Sequence, residues 1–205
     1  MSDLWTNPGG MVLRDQFVEL RPVRDEDMPA LFEATQEPQT FRYFLTWPQT
    51  WTPGHFAAWL ASVRDRPGRV LMAVRDLASS RLAGCTAYLD IDPAHRSVEI
   101  GATWYGPAWR GTAINPACKR LLLAHAFDTA GAQRVLLKCD ARNDRSRAAI
   151  LKLGAVYEGT LRRNQQLPDG HRRDTALFSI MPEEWPGVKA RLDQRLANAA
   201  GNRPA

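Results

Sequence analysis

The sequence predicts a mixed α/β fold in a single domain, and three observations carry that expectation. Stretches that alternate apolar and polar residues, the two-residue period of a half-buried strand, are interleaved with stretches whose apolar residues recur every three or four positions, the period of a helix. Their order is strand, two or three helices, three strands, helix, strand, helix, strand pair, helix, which is not a strict strand–helix–strand repeat. The 205 residues are 44 % apolar and 24 % charged, with no internal repeat and no long linker, an ordinary globular composition sufficient for one good-sized core.

Residues 1–14 read as a loose N-terminal arm with a Pro8–Gly9–Gly10 turn signal, residues 15–198 as the domain, and residues 199–205 as a fraying tail. Phe17 to Arg21 alternates as a strand that Pro22 helps to end. Asp25 is placed to cap a short helix through Thr35, with Met28, Leu31 and Phe32 on its apolar side. After Pro38 a second helical stretch is expected near Gln39 to Phe44. Thr52–Pro53 combines a cap with a proline in the first turn and starts a helix to about Arg66. Arg69 to Arg75 and Leu82 to Ile91 are strands joined by a turn at Ser79–Ser80, and Ser97 to Trp104 is a third. Ile114 to Thr129 reads as a long helix, Arg134 to Lys138 as a short strand, and Asp144 to Leu153 as a short helix. Ala155 to Gln165 and Arg172 to Met181 form a strand pair around Pro168–Asp169–Gly170. Pro182 opens a last helix with Trp185, Val188, Leu192 and Leu196 along one stripe.

Several function classes lose support at once. No window approaches eighteen consecutive apolar residues, so no membrane span is expected. The first residues lack a basic start followed by an apolar run, so no secretory signal is read and the cytoplasm is the default. Cys85, Cys118 and Cys139 cannot pair fully and lie in apolar contexts, as buried small hydrophobes do. The four histidines have no metal-ligand spacing, so no metal is expected. The formal charge of +5 suits a phosphorylated ligand or a nucleic acid; no nucleic-acid-binding motif accompanies it, so nucleic-acid binding stands only as a second alternative that would need a contiguous Arg/Lys face with interleaved aromatics.

Two segments carry the chemistry. In residues 98–123 a strand ends at Trp104, a loop runs from Gly106 to Thr112, and a helix begins near Ile114. Unpaired N–H groups at a helix start, with the helix dipole behind them, can hold a phosphate. Gly111 permits close backbone approach, Arg110 offers charge, Thr112 a hydroxyl, and Asn115 a cap or a donor to an anion. A simple capped loop is the other reading of the same residues. In Asp140 to Gly154, Asn143 sits at a cap position and Ser146 lies three residues on. That hydroxyl can protonate a leaving group or hold a ligand, or it can be an ordinary surface serine. No Ser-His-Asp set, carboxylate pair or metal cluster is visible, which favours chemistry without a covalent enzyme intermediate. Direct attack of an amine on a thioester needs only positioning, a proton acceptor and support for the developing charge.

Four stretches in order, LRPVRDEDMPALFEA, VEIGATWYGPAWRGTAINPACKRLLLAHAF, RVLLKCDARNDRSRAAILKLGAVYEGTLRR and GHRRDTALFSIMPEEWPGVKARL, resemble the GNAT superfamily of N-acetyltransferases. Within it they are similar to the ribosomal-protein N-terminal (RimJ/RimL-like) branch, over about residues 17–196. The resemblance implies an acyl-CoA N-acyltransferase fold with a mixed central sheet flanked by helices, acetyl-CoA as cofactor, CoA as product, and a primary amine as acceptor. The family's pyrophosphate loop, Arg/Gln-x-x-Gly-x-Gly/Ala, falls on Arg110, Gly111, Thr112, Ala113, Ile114 and Asn115. The chain departs from it at Ala113 and Asn115; a methyl group at Ala113 suits a backbone on the helical side of φ and not a left-handed one. The resemblance also implies a bulged strand holding the pantetheine arm at Ile100, Ala102 and Trp104, with Glu99 as the nearest carboxylate and candidate base through water. It assigns Asn143 to the cofactor arm and Ser146 to the leaving thiolate, with Tyr105 and Tyr157 as alternatives for the latter role.

A peptide α-amine, with a pKa near 8, is partly free at neutral pH, whereas an alkylamine near 10 is not, so an enzyme for α-amines manages with a weak base. The branch points to a protein N-terminus, and a small-molecule amine stays open. Phe41, Tyr43, Phe44, Trp47 and Trp51 line the acceptor pocket or pack the core. A non-catalytic acyl-CoA-binding or structural module on the same fold is the competing class. The C-terminal hairpin and helix are compatible with a homodimer.

Overall fold

The computed structural model describes residues 4–6, 10–35 and 37–201. The elements are β1 (Leu13–Arg14), β2 (Val18–Pro22), α1 (Met28–Thr35), α2 (Pro53–Arg64), β3 (Val70–Asp76), β4 (Leu82–Asp92), β5 (Ser97–Tyr105), α3 (Ile114–Ala124), β6 (Arg134–Asp140), α4 (Asp144–Leu153), β7 (Val156–Gln166), β8 (Arg172–Ile180) and α5 (Trp185–Gly201). The strands form one sheet in the order β1-β2-β3-β4-β5-β6-β8-β7. Neighbours are antiparallel except β5 and β6, which run parallel.

Strand alternation sends side chains to two separate cores. Val70, Met72 and Val74 of β3 join α3, α4 and α5 on one face. Leu71 and Ala73 of the same strand join α1 and α2 on the other. The second core is built on aromatic edges: Phe41 meets Trp59 at 4.7 Å and Trp104 at 5.5 Å between ring centroids. All three cysteines are free and buried.

Most expected elements appear within a residue or two, and the differences have local causes. Asp25 does not cap the first helix; it accepts from Arg64 Nη1 at 2.6 Å. Asp27 takes the capping role, accepting from Arg24 N at 2.8 Å while its two oxygens hold Arg21 at 2.7 and 2.6 Å. Burial works to raise the Asp27 pKa, but the Arg21 pairing and the Arg24 N–H win and hold the carboxyl below its ordinary range. The stretch 39–44 forms only a 3-10 turn at Pro38–Phe41, and its aromatic residues divide between the core, which Phe41 enters, and the cleft, which Tyr43 lines, so they make no single helical stripe. The long helix after Ile114 changes at His125–Thr129 into a wider π turn closed by Ala130 N donating to His125 O at 2.9 Å. The N-terminal arm is not loose where described: Leu4 and Met11 are buried in the core and β1 pairs with β2. Pro8 and Gly9 of the expected turn, and residues 202–205 of the tail, lie outside the described residues; α5 itself reaches Gly201. No helix is long and apolar enough to cross a membrane, and no group of three or more His, Cys, Asp or Glu is placed to hold a metal, both among the described residues.

The pairing of the two central strands opens the sheet. β5 and β6 pair at only three positions, Ser97↔Arg134, Val98↔Val135 and Glu99↔Leu136. Beyond Glu99, β5 follows β4 to Tyr105 while β6 follows β8 to Asp140, so the sheet forks. A bulge deepens the fork: Cys85↔Trp104 and Ala87↔Gly101 leave Thr86 opposite both Ala102 and Thr103. Ala102 sits at φ +46°, a left-handed angle that costs a non-glycine residue roughly 1–2 kcal/mol.

Candidate active site

A cleft of about 1230 Å³ runs through the fork and opens on both faces of the sheet. On the α3/α4 face it meets the loop that launches α3. Gly111 takes φ +76°, which glycine adopts freely, with open space around it. Ala113 follows at φ −68°, ψ −14°, on the helical side, so its methyl group is accommodated. Among the described residues, the N–H groups of Gly111, Thr112, Ala113 and Asn115 donate to no protein acceptor. Four unpaired donors at the positive end of a helix dipole make a site for an anion. Arg145, Lys152 and Arg195 line the same cleft.

Two side chains expected to face the phosphates are committed elsewhere. Arg110 donates through Nε to Tyr105 O at 3.0 Å, through Nη1 to Glu37 Oε1 at 2.6 Å and through Nη2 to Thr40 Oγ1 at 2.7 Å. It clamps the loop to the segment between α1 and α2. The Thr112 hydroxyl donates to Trp109 O at 2.7 Å and accepts from Ile114 N at 3.3 Å, so it shapes the turn, and the Ile114 side chain is buried in the core. Asn115 does not cap α3; its Oδ1 accepts from the Tyr105 hydroxyl at 3.3 Å. The anion-binding capacity of this loop is therefore in its backbone.

Asn143 is the N-cap of α4, and its Oδ1 accepts from Ser146 N at 3.1 Å. That bond orients the first turn and leaves the Ser146 hydroxyl on the cleft wall. The hydroxyl lies beside the Cys139 thiol: burial raises the thiol's pKa and the Ser146 hydrogen bond opposes the rise. Tyr105 is buried against Asn115, and Tyr157 is 48 % exposed on β7 with its hydroxyl on Thr160, away from the cleft.

Glu99 sits at the apex of the fork, 8 % exposed. Val98 and Ile100 point into the α3/α4 core, so alternation turns Glu99 to the α1/α2 face, opposite Ser146. Its Oε2 meets Lys138 Nζ at 2.7 Å, and the same ammonium reaches Asp90 Oδ2 at 3.0 Å. Burial raises the Glu99 pKa, and the attraction of Lys138 only partly offsets this. Ile100 and Trp104 are buried on opposite faces, so what they and Ala102 present to the fork is backbone. Of the five aromatic residues considered for the acceptor pocket, Phe41 is core, Trp47 and Trp51 pack on that core, and Tyr43 and Phe44 line the cleft.

Two cations escaped the sequence reading. Lys119 is buried and donates to Thr103 Oγ1 at 2.9 Å, tying α3 to the bulge, and burial pulls its pKa down to about 8. Its spacing of four from Asn115 on one helix was the available signal. Arg173 of β8 is 7 % exposed and lines the cleft on the α1/α2 face. Nothing local marks it among the many arginines.

The acetyltransferase (GNAT) domain family matches residues 18–156. The chain belongs to the GNAT acetyltransferase family. A Bacillus subtilis (strain 168) relative named "Putative ribosomal N-acetyltransferase YdaF" is 29 % identical over 113 residues, 55 % of this chain. The chain spans 61 % of that relative's length. Among solved structures, a GCN5-related N-acetyltransferase from Brucella melitensis is 29 % identical with a TM-score of 0.85, covering 90 % of this chain and 85 % of its own. Mycobacterium smegmatis RimJ, solved in complex with CoA-disulfide, has a TM-score of 0.77 at 23 % identity, covering 95 % and 97 %. For this acetyltransferase domain the expected class, an acetyl-CoA-dependent N-acetyltransferase, is the class of its family, and the expected mixed sheet flanked by helices is the fold it has.

Proposed function

We propose that the chain transfers an acetyl group from acetyl-CoA to the α-amine of a protein N-terminus by direct attack. The observation that carries this reading is the fork, which offers one anion-binding face and one face with a buried carboxylate, joined through the sheet. The ligand would enter on the α3/α4 face, its pyrophosphate on the backbone N–H groups of Gly111, Thr112, Ala113 and Asn115. Its pantetheine arm would lie along the unpaired edge of β5 at Ile100, Ala102 and Trp104. Bound there, the thioester supplies an activated acetyl carbon. Glu99 accepts the proton that the attacking amine loses, directly or through one water, on the α1/α2 face. The Ser146 hydroxyl donates to the departing sulfur on the other, with Asn143 fixing the helix start that carries it. A donor and an acceptor on opposite sides of the reacting carbon suit a displacement in which a C–N bond forms and a C–S bond breaks.

The protein N-terminus is favoured because Glu99, although burial raises its pKa, is still a carboxylate and so a modest base, suited to an α-amine that is already partly free near neutral pH. The relative named as a ribosomal N-acetyltransferase agrees in class. Calorimetric titration with acetyl-CoA, desulfo-CoA and ATP at fixed salt tests the first half, and thiol release with α-amine peptides against lysine side-chain amines tests the second. Selective CoA binding and faster release with α-amines are expected. Silence toward every CoA ligand would overturn the reading and leave a structural module on the same fold.

A further inference from the structure

On the α1/α2 face of the cleft most charges are balanced within the protein. Lys138 is shared by Asp90 and Glu99. Arg142 holds both oxygens of Asp140, through Nε at 3.0 Å and Nη2 at 2.8 Å. Arg173 differs. Among the described residues its guanidinium makes one hydrogen bond, Nη1 donating to Tyr43 O at 3.2 Å, and no carboxylate oxygen lies within ion-pair distance. Its Nε is buried without a partner although the residue is 7 % exposed. Burial depresses its pKa, with Asp140 opposing. A charge desolvated to this degree and left with open donors lacks its counter-ion.

The surroundings are built around this side chain. β7 bulges beside it: Leu161↔Thr175 is followed by Gln165↔Arg173, so three residues of β7 face one of β8. Asn164 is turned inward by the bulge and accepts from Thr175 Oγ1 at 2.8 Å. Ala176 and Phe178 point to the α3/α4 core, so alternation puts Arg173 on the face that Glu99 shares.

We propose that Arg173 binds a carboxylate of the acceptor, so that the substrate is a primary amine carrying an acidic group close to its nucleophilic nitrogen. This rests on the acetyl-transfer reading above. The Nη donors of the guanidinium that Tyr43 O leaves open can meet a carboxylate with short, charge-assisted hydrogen bonds. A singly charged planar group fits better than a phosphate dianion, because Asp140 and Glu99 both act on Arg173 and would repel the second charge. The acceptor then spans the pocket, acid on Arg173 and amine beside Glu99.

Such a carboxylate comes either from an acidic second residue of a peptide or from the α-carboxylate of a free amino acid, and two matched pairs separate them. Thiol release at saturating acetyl-CoA is measured with a peptide amide beginning Ala-Glu against one beginning Ala-Gln, and with alanine against alaninamide. The acidic member of one pair is expected to have a kcat/KM about tenfold to a hundredfold higher, the usual worth of hydrogen bonds to a charged group. In Arg173→Gln that ratio should fall to about one, and in Arg173→Lys it should lie between, with acetyl-CoA affinity retained in both as the check on folding. Preference in the peptide pair assigns a side-chain carboxylate, and preference in the amino-acid pair an α-carboxylate. Equal rates within both pairs for the wild-type chain, or a ratio that survives in Arg173→Gln, overturns this proposal alone. Acetyl-CoA binding with no thiol release for any of the four amines overturns the acetyl-transfer reading as well.

Discussion

Replacing Arg110 with alanine separates two roles that a basic residue in this loop can have. If its guanidinium held phosphates, the loss would fall on cofactor affinity. In the structure all three nitrogens are bonded to protein, at 3.0, 2.6 and 2.7 Å, so the loss falls on the fold. Hydrogen bonds contribute about 0.5–1.5 kcal/mol each to stability. The Glu37 contact counts at the low end, because that carboxylate is 43 % exposed and screened by solvent. The Tyr105 carbonyl, left without its donor, adds to the cost. About 2–3 kcal/mol follows, which for a domain of this size lowers Tm by roughly 4–12 °C. Urea and thermal unfolding of Arg110→Ala, with calorimetric titration of acetyl-CoA in the same preparations, measure both quantities. The expected result is a large drop in stability with acetyl-CoA affinity changed by less than about threefold, under 1 kcal/mol. Unchanged stability with affinity down more than about tenfold would refute the clamp and return the guanidinium to the phosphates.

The remaining predictions concern the two sides of the fork. Ser146→Ala should slow turnover by about tenfold or more while acetyl-CoA affinity holds, read by steady-state kinetics and calorimetry; the opposite pattern would make the hydroxyl a binding group. If Glu99 is the base, kcat rises with pH as it ionises, and burial places that limb above the ordinary carboxylate range. Lys138→Met removes the ammonium that favours the carboxylate, so the Glu99 pKa goes further up and the limb moves to higher pH; a limb that stays in place, or that survives Glu99→Gln, removes Glu99 from the reaction. Asn143→Ala removes the α4 cap and should cost about 1 kcal/mol in urea unfolding, with a larger relative loss in turnover because Ser146 N is the group it holds.

Local signals made much of this molecule legible in advance. The Thr52–Pro53 start, the Asn143 cap and the Gly170 turn each depend on two or three adjacent residues, and each appears as read. The two segments facing each other across the cleft were recognisable for the same reason, since a strand, a loop and a helix start lie consecutively in the chain. What was not legible depends on contacts distant in sequence. Arg110 looked like a phosphate ligand because its acceptor Glu37 lies 73 residues away. Arg173 looked like one arginine among many because the residue whose carbonyl it meets, Tyr43, lies 130 residues away. The arm before β1 looked loose because Leu4 and Met11 have no periodic neighbours, yet each finds a place in a core assembled by later strands.

The three-residue ladder between β5 and β6 also bears on how the chain assembles itself. Strands up to Tyr105 make one antiparallel half and strands from Arg134 onward the other, so each half is a contiguous stretch of polypeptide. During synthesis the first half can zip up before the second has left the ribosome. The contacts that join the halves include Arg173 Nη1 to Tyr43 O, 130 residues apart, and closing such a long loop comes late because its entropy must be met before any contact rewards it. A half-built molecule would thus be folded in parts and still inert, and competence would appear in one step, when the seam closes.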